Sequence, residues 1–127
     1  MRCSHVAGEE THRKEYRCVV VLSRAVTEAD VALLNKTQEL VCQQLTPMRV
    51  LHRRTLMVRE RTIHAMRAER LSSRFLQLDL TTQAGTYVKE FVHGDFGRTL
   101  PNLGSLLGCE ADILQLDVMG LQDAHCA

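Results

Sequence analysis

The residues best suited to chemistry lie in the segment Thr82-Gln-Ala-Gly-Thr-Tyr-Val-Lys89, which follows a strand-like run. A turn of small residues, Ala84-Gly85, precedes an aromatic residue, Tyr87, and a cation, Lys89. An exposed ring stacks on a base that has left its helix, and an ammonium group pairs with a phosphate or a carboxylate. The segment therefore favours contact with RNA. The same residues also suit a partly buried tyrosine and a surface lysine in a first helical turn.

Tyr16 is the second candidate for stacking on a base. Tyr16 and Tyr87 are the only tyrosines, and the chain has no tryptophan. Stacking of an aromatic side chain contributes about 1–3 kcal/mol per base, so each ring is a candidate platform for a flipped nucleotide. The alternative for Tyr16 is a strand tyrosine whose ring belongs to the core.

Arginines are concentrated in residues 49–74, which contain eight arginines and only two glutamates. Arg49, Arg53 and Arg54 follow Pro47 within a few positions, and this loop is predicted to contact RNA phosphates. Since the net charge of the whole chain is only +1, a basic but merely solvated surface is the open alternative. The eight arginines are Arg49, Arg53, Arg54, Arg59, Arg61, Arg67, Arg70 and Arg74.

The bulk properties describe one soluble domain. The chain has 127 residues, of which 45% are hydrophobic and 24% charged, and no apolar run is long enough to cross a membrane. Five cysteines without a CxxC pair suit reduced thiols, which predicts a location in the nucleus or the cytoplasm. No Cys or His pair has zinc-ligand spacing, and no nucleotide-binding loop occurs, so neither a metal nor a cofactor is predicted.

The hydrophobic pattern predicts an α+β domain with a mixed, largely antiparallel sheet and a few flanking helices. Thr27 and Asp30 have the spacing of a capping box, which places Val31, Leu33 and Leu34 on the inner face of the first helix. A turn at residues 68–74 is expected to join two strands as a hairpin. Strands are predicted at residues 16–23, 40–43, 54–66, 75–82 and 111–118, and helices at 27–36, 86–95 (capped by Thr86) and 101–108.

Three segments resemble the tRNA pseudouridine(55) synthase family of archaea and eukaryotes. They are Lys14-Glu-Tyr16-Arg, residues 46–54 and residues 82–102, and the last is long and specific. The resemblance covers roughly residues 14–119 and implies a domain at 14–121, the C-terminal part of the catalytic domain. Residues 1–13 are predicted to be a disordered start and residues 122–127 a tail.

The resemblance implies isomerisation of uridine to pseudouridine in the TΨC arm of tRNA, without a cofactor. Tyr16 matches a tyrosine that packs on the uracil and is a proposed base for C5, and Tyr87 matches a second tyrosine of the pocket. Lys89 matches the cation that pairs with the nucleophilic aspartate. Leu114 and Leu116 resemble the hydrophobic block that closes the pocket.

The nucleophile itself is not found in this sequence. The family carries it in a Gly-Arg-x-Asp segment upstream of the block with Tyr16, and the residues before Tyr16 contain no such segment. The chain is therefore interpreted as a truncated synthase whose partners are tRNA and the missing upstream half of the enzyme. Two alternatives are a non-catalytic RNA-binding module derived from that enzyme and an interaction domain whose arginines meet an acidic protein. The aspartates present are Asp30, Asp79, Asp95, Asp112, Asp117 and Asp123.

Overall fold

The computed structural model describes residues 12–53 and 56–123. The strands are β1 (His12–Leu22), β2 (Gln38–Leu45), β3 (Val58–Arg70), β4 (Phe75–Gln83), β5 (Thr99–Leu100) and β6 (Ala111–Asp123). The helices are α1 (Glu28–Lys36), α2 (Val88–His93) and α3 (Leu103–Leu107), and there are 3₁₀ turns at Met48–Val50 and Asp95–Gly97. None of these described helices has the length and apolar character needed to cross a membrane.

All six strands form one sheet in the order β5-β2-β3-β4-β1-β6. The predicted α+β class with a largely antiparallel sheet is confirmed. Every strand pairing among the described residues is antiparallel, so the sheet is not mixed there. The predicted hairpin is β3–β4, with a shorter turn than expected, because β3 continues to Arg70.

The apolar core lies on the face of the sheet that the helices cover. Successive side chains of a strand point to opposite faces, so paired residues of β1 and β4 enter the core together. On the opposite face Arg17 of β1 forms an ion pair with Asp79 of β4, with 2.9 Å between Nε and Oδ1. The buried pairs are Tyr16 with Leu80, Cys18 with Leu78, and Val20 with Leu76.

Helix α1 begins as its sequence predicts. The Thr27 side chain accepts a hydrogen bond from the Asp30 backbone, and the Asp30 carboxylate accepts one from the Thr27 backbone. Helix α1 packs against β3, with Leu34 fully buried and Val31 partly buried. The prediction for Leu33 was wrong, because this side chain is 40% exposed on the outer face of the helix.

Helix α2 is shorter than predicted at both ends. The Thr86 hydroxyl donates to the Gln83 carbonyl at 2.7 Å and does not cap the helix, whose N-cap is Tyr87. The helix ends at Gly94, which adopts a left-handed conformation with φ of 85°. Helix α3 agrees better with the sequence, since it is capped by Asn102 and ends at Gly108.

The strand boundaries differ from the predicted ones mainly because the strands are longer. β2 extends the predicted strand at both ends, and β3 begins four residues later and ends four residues later than expected. β6 continues to Asp123 along its pairing with β1.

The predicted disordered start lies almost wholly outside the described residues, and β1 begins at His12. Of the predicted tail, residues 124–127 also lie outside them.

Candidate functional site

The backbone around Tyr87 is held by the side chain of Gln44. The Gln44 amide donates to the Tyr87 carbonyl oxygen at 2.9 Å and accepts from the Tyr87 N–H at 2.9 Å. Gln44 lies in β2 and is only 1% exposed. Because a buried amide with both groups satisfied is rigid, β2 fixes the position at which α2 begins. Gln44 follows the exposed Gln43 in β2, and no sequence pattern distinguishes the buried amide from the exposed one.

Arg49 and Glu90 form an ion pair next to the same tyrosine. Arg49 Nε lies 2.7 Å from Glu90 Oε2, and Nη2 lies 3.3 Å from Oε1. The guanidinium carbon of Arg49 is 5.9 Å from the centroid of the Tyr87 ring, which is within the range of a cation–π contact. Glu90 is 1% exposed, and its hydrogen bond raises the pKa of Arg49. Arg49 thus links the loop after Pro47 to helix α2.

A second set of contacts fastens the same loop to the end of α2. The Asp95 carboxylate accepts a hydrogen bond from the Met48 N–H at 3.1 Å, and the Asp95 N–H donates to His93 Nδ1 at 3.0 Å. Arg98 Nη2 donates to the Thr46 carbonyl oxygen at 2.9 Å. These charged side chains therefore have structural partners. Among the described residues, no group of three Cys, His, Asp or Glu side chains could hold a metal ion.

Lys89 differs from its charged neighbours because no described residue pairs with its ammonium group. Its side chain is exposed in the first turn of α2, two positions after Tyr87. Within the described part of the chain, Lys89 forms no hydrogen bond and no ion pair. The start of α2 therefore presents an exposed cation close in sequence to a partly exposed aromatic ring.

Tyr16 lies in the core and is 9% exposed. It pairs with Leu80 of β4 and with Val118 of β6. Burial raises its pKa above the usual 10.0, and the neighbouring Cys18 adds to the effect. Next to it is a cavity of about 300 Å³ whose lining includes Met66 and Met119 but neither Tyr87 nor Lys89.

The three predicted pocket residues share the helix-covered side of the sheet. Helix α2, which follows Tyr87 and carries Lys89, packs against β6, and β6 is the strand next to Tyr16. No described cavity joins all three, so a common cleft remains a prediction. Of the predicted hydrophobic block, Leu116 packs against the core, whereas Leu114 is 58% exposed.

The three arginines predicted to contact RNA have different environments. Arg49 is bound to Glu90, as described above. Arg53 is exposed, and Arg54 lies outside the described residues. Phosphate contact by this loop therefore remains a prediction. Of these three arginines, Arg53 is the one whose side chain is described as exposed and without an ion pair to another described residue.

Comparison with known proteins agrees with the sequence pattern. The chain matches the family described as "Pus10, C-terminal" over residues 3–122. It is 53% identical over 111 residues to the tRNA pseudouridine synthase Pus10 of Mus musculus and 51% identical over 111 residues to that of Homo sapiens. Each alignment covers 87% of this chain but 21% of the relative, so the chain spans about a fifth of the length of these proteins.

Solved structures with the same fold come from more distant proteins. A chain in the crystal structure of a Cbf5-Nop10-Gar1 complex matches with a TM-score of 0.64 and 22% identity, over 86% of this chain and 30% of that chain. A chain in the structure of an H/ACA RNP bound to a substrate RNA containing 2'-deoxyuridine matches with a TM-score of 0.58 and 18% identity, over 88% of this chain and 28% of that chain. These structures support the fold, and the family match supports the identity. The chain belongs to the Pus10 family of pseudouridine synthases and corresponds to the C-terminal part of its members.

Proposed function

We propose that this chain forms one side of the uridine site of a tRNA pseudouridine synthase, which acts on the TΨC arm. The observation that carries the proposal is the ammonium of Lys89, which has no partner among residues 12–53 and 56–123 and lies near a tyrosine whose backbone is fixed by Gln44. The close relatives are named tRNA pseudouridine synthases, which supports tRNA as the substrate.

The proposed reaction is an isomerisation, so it consumes no second reactant. A carboxylate attacks the nucleotide, the bond between C1' and N1 breaks, and the uracil rotates. C5 then bonds to C1', the carboxylate is released, and the proton on C5 leaves while N1 gains one. The base must first leave its stack, and aromatic side chains such as Tyr16 and Tyr87 replace the lost stacking.

Lys89 is proposed to pair with the nucleophilic carboxylate. A cation within a few ångströms favours the ionised form of a carboxyl group and lowers its pKa, which keeps the nucleophile deprotonated at neutral pH. The residues before Tyr16 contain no Gly-Arg-x-Asp segment, so we propose that the carboxylate comes from polypeptide outside these 127 residues. Without it, the same surface would bind RNA and catalyse nothing, which is the alternative function.

Tyr16 is better suited to contact the base than to remove its proton. Burial raises the pKa of its phenol, so the hydroxyl holds its proton more tightly than a free tyrosine does. A general base works best with a pKa near the operating pH. We therefore propose that the Tyr16 ring packs against the uracil and that the Tyr16 hydroxyl does not remove the proton from C5.

A chimeric enzyme tests these roles. In it, this chain replaces the aligned segment of the mouse relative, and Lys89→Met is compared with Lys36→Met, a change at an exposed lysine in the last turn of α1. Loss of an electrostatic partner of the reacting group should lower the rate of the chemical step by about 100-fold or more. Lys36→Met should leave the rate unchanged. Tyr16→Phe, which keeps the ring, should retain most of the activity.

The readout is single-turnover pseudouridine formation in an unmodified tRNA transcript. Equal rates for Lys89→Met and Lys36→Met would contradict the role of Lys89. A Tyr16→Phe chimera as slow as Lys89→Met would instead assign the proton transfer to the Tyr16 hydroxyl.

A further inference from the structure

Two arginine side chains of β3 converge on the glycine turn before Tyr87. A Cβ atom added to Gly85 would lie 3.3 Å from Nε of Arg61 and 3.4 Å from Nη2 of Arg59. Gly85 has a φ of +84°, a left-handed conformation that glycine adopts at no steric cost. Because Gly85 has no side chain, the guanidinium groups of both arginines can lie close to the same point of the turn.

Neither guanidinium has an acidic partner among the described residues. Nε of Arg61 is buried without a hydrogen bond, and its Nη1 donates only to the backbone carbonyl oxygen of Glu60, at 2.7 Å. Arg59 forms no hydrogen bond or ion pair within the same described part of the chain. Buried donors normally have a partner, and neighbouring like charges repel each other. An anion held between the two groups would satisfy both requirements.

The arginine pair lies close to Tyr87, to which it is linked through Gln44 and the Gly85 turn. Arg59 is opposite Gln44 in the pairing of β3 with β2. Gln44 binds the backbone of Tyr87 through both the nitrogen and the oxygen of its side-chain amide. Ile63, two residues beyond Arg61, is buried in the core, so strand alternation places both arginines on the helix-covered face. Gly85 is two residues from Tyr87, a span of at most about 7 Å.

We propose that Arg59 and Arg61 bind a phosphate group of the RNA strand at the Gly85 turn. Guanidinium groups bind phosphate oxygens through paired, charge-assisted hydrogen bonds, which suits two of them over an open backbone. Proximity to Tyr87 favours RNA over an acidic protein, because a base stacked on that ring would carry its own phosphate close by. The inference rests on the proposed function and adds to it the contact with the RNA backbone.

The salt dependence of tRNA binding by the 127-residue chain tests the proposal. The variant Arg59→Gln/Arg61→Gln is compared with Arg70→Gln/Arg74→Gln, which removes the same charge from the far end of the hairpin, about 30 Å away along β3. The slope of log K against log salt is negative, and each phosphate contact that is lost reduces its magnitude by about 0.7–0.9. Because the two arginines are proposed to hold one phosphate group, the first variant should reduce the magnitude of the slope by about 0.7–0.9. The second variant should keep the slope of the unaltered chain.

A second pair of variants separates charge from packing. Asp and Asn tolerate positive φ better than other residues, and the nearest atoms to a new Cβ are the flexible ends of arginine side chains. Gly85→Asp would place a carboxylate between the guanidinium groups and should reduce the magnitude of the slope as Arg59→Gln/Arg61→Gln does. Gly85→Asn has nearly the same shape without the charge and should not.

Circular dichroism and thermal melting confirm that each variant is folded before binding is compared. Equal slopes for the two arginine variants, equal slopes for Gly85→Asp and Gly85→Asn, or no salt-dependent binding by the unaltered chain would overturn the phosphate site. If Arg59→Gln/Arg61→Gln and Arg70→Gln/Arg74→Gln have equal slopes, the partner of Arg59 and Arg61 would be an acidic protein or solvent. A failure of the chimera to form pseudouridine would refute the proposed function but leave a measured loss of slope, and hence the phosphate site, intact.

Discussion

At the scale of single residues, Glu90 is the position where the structure adds most to the sequence. A fully buried carboxylate is costly unless it is paired, and its partner, Arg49, lies 41 positions earlier in the chain. The spacing of Tyr87 and Lys89 was visible in the sequence, because the two residues share one turn. The contact between Arg49 and Glu90 was not, because it depends on how the loop after Pro47 meets α2.

Arg49→Ala should destabilise the protein by about 1–3 kcal/mol, because it leaves Glu90 buried and without its charged partner. Arg53→Ala is the matched control, since Arg53 is exposed, and it should change stability by less than about 0.5 kcal/mol. Urea unfolding monitored by circular dichroism measures both. Combining Arg49→Ala with Glu90→Gln should cost less than the sum of the single changes. Equal stability of the two alanine variants would show that the ion pair contributes nothing.

At the scale of elements, α1 shows which structures a sequence specifies locally. Thr27 and Asp30 form the capping box that their spacing predicts, because both partners lie within one turn. The start of α2 was predicted less well: Thr86 has a suitable side chain, but its hydroxyl bonds back to Gln83. Strand ends were also missed, because β3 and β6 continue only while a neighbouring strand supplies hydrogen bonds.

The ionised Asp30 should stabilise α1 in a pH-dependent way. Hydrogen bonds from Arg24, and secondarily from Thr27, lower the pKa of Asp30 from 3.8 to about 2. A depressed pKa in the folded state stabilises the protein above the unfolded pKa of about 4, and this stabilisation is lost as the pH falls towards about 2. Asp30→Asn should therefore be less stable at pH 7 and lose less stability between pH 4 and pH 2. Urea unfolding across that range measures the difference, and parallel pH profiles for both proteins would contradict the assignment.

At the scale of the whole molecule, one antiparallel sheet brings distant segments to the same face. β1 carries Tyr16, β2 carries Gln44, β3 carries the arginine pair, and α2 carries Lys89. The alternation of polar and apolar residues was sufficient to predict the sheet and much of its core. It was not sufficient to predict the strand order, which determines that Gln44 and Arg59 meet beside Tyr87.

The most direct test of the account is tritium release from tRNA labelled at uridine C5, since pseudouridine formation breaks the C5–H bond. The 127-residue chain alone should release none, because the nucleophilic carboxylate is proposed to lie outside it. The chimera in which this chain replaces the aligned segment of the mouse relative should release tritium. Release by the chain alone would show that it holds its own nucleophile. A folded chimera that binds tRNA but releases no tritium would contradict the claim that these residues form one side of the uridine site.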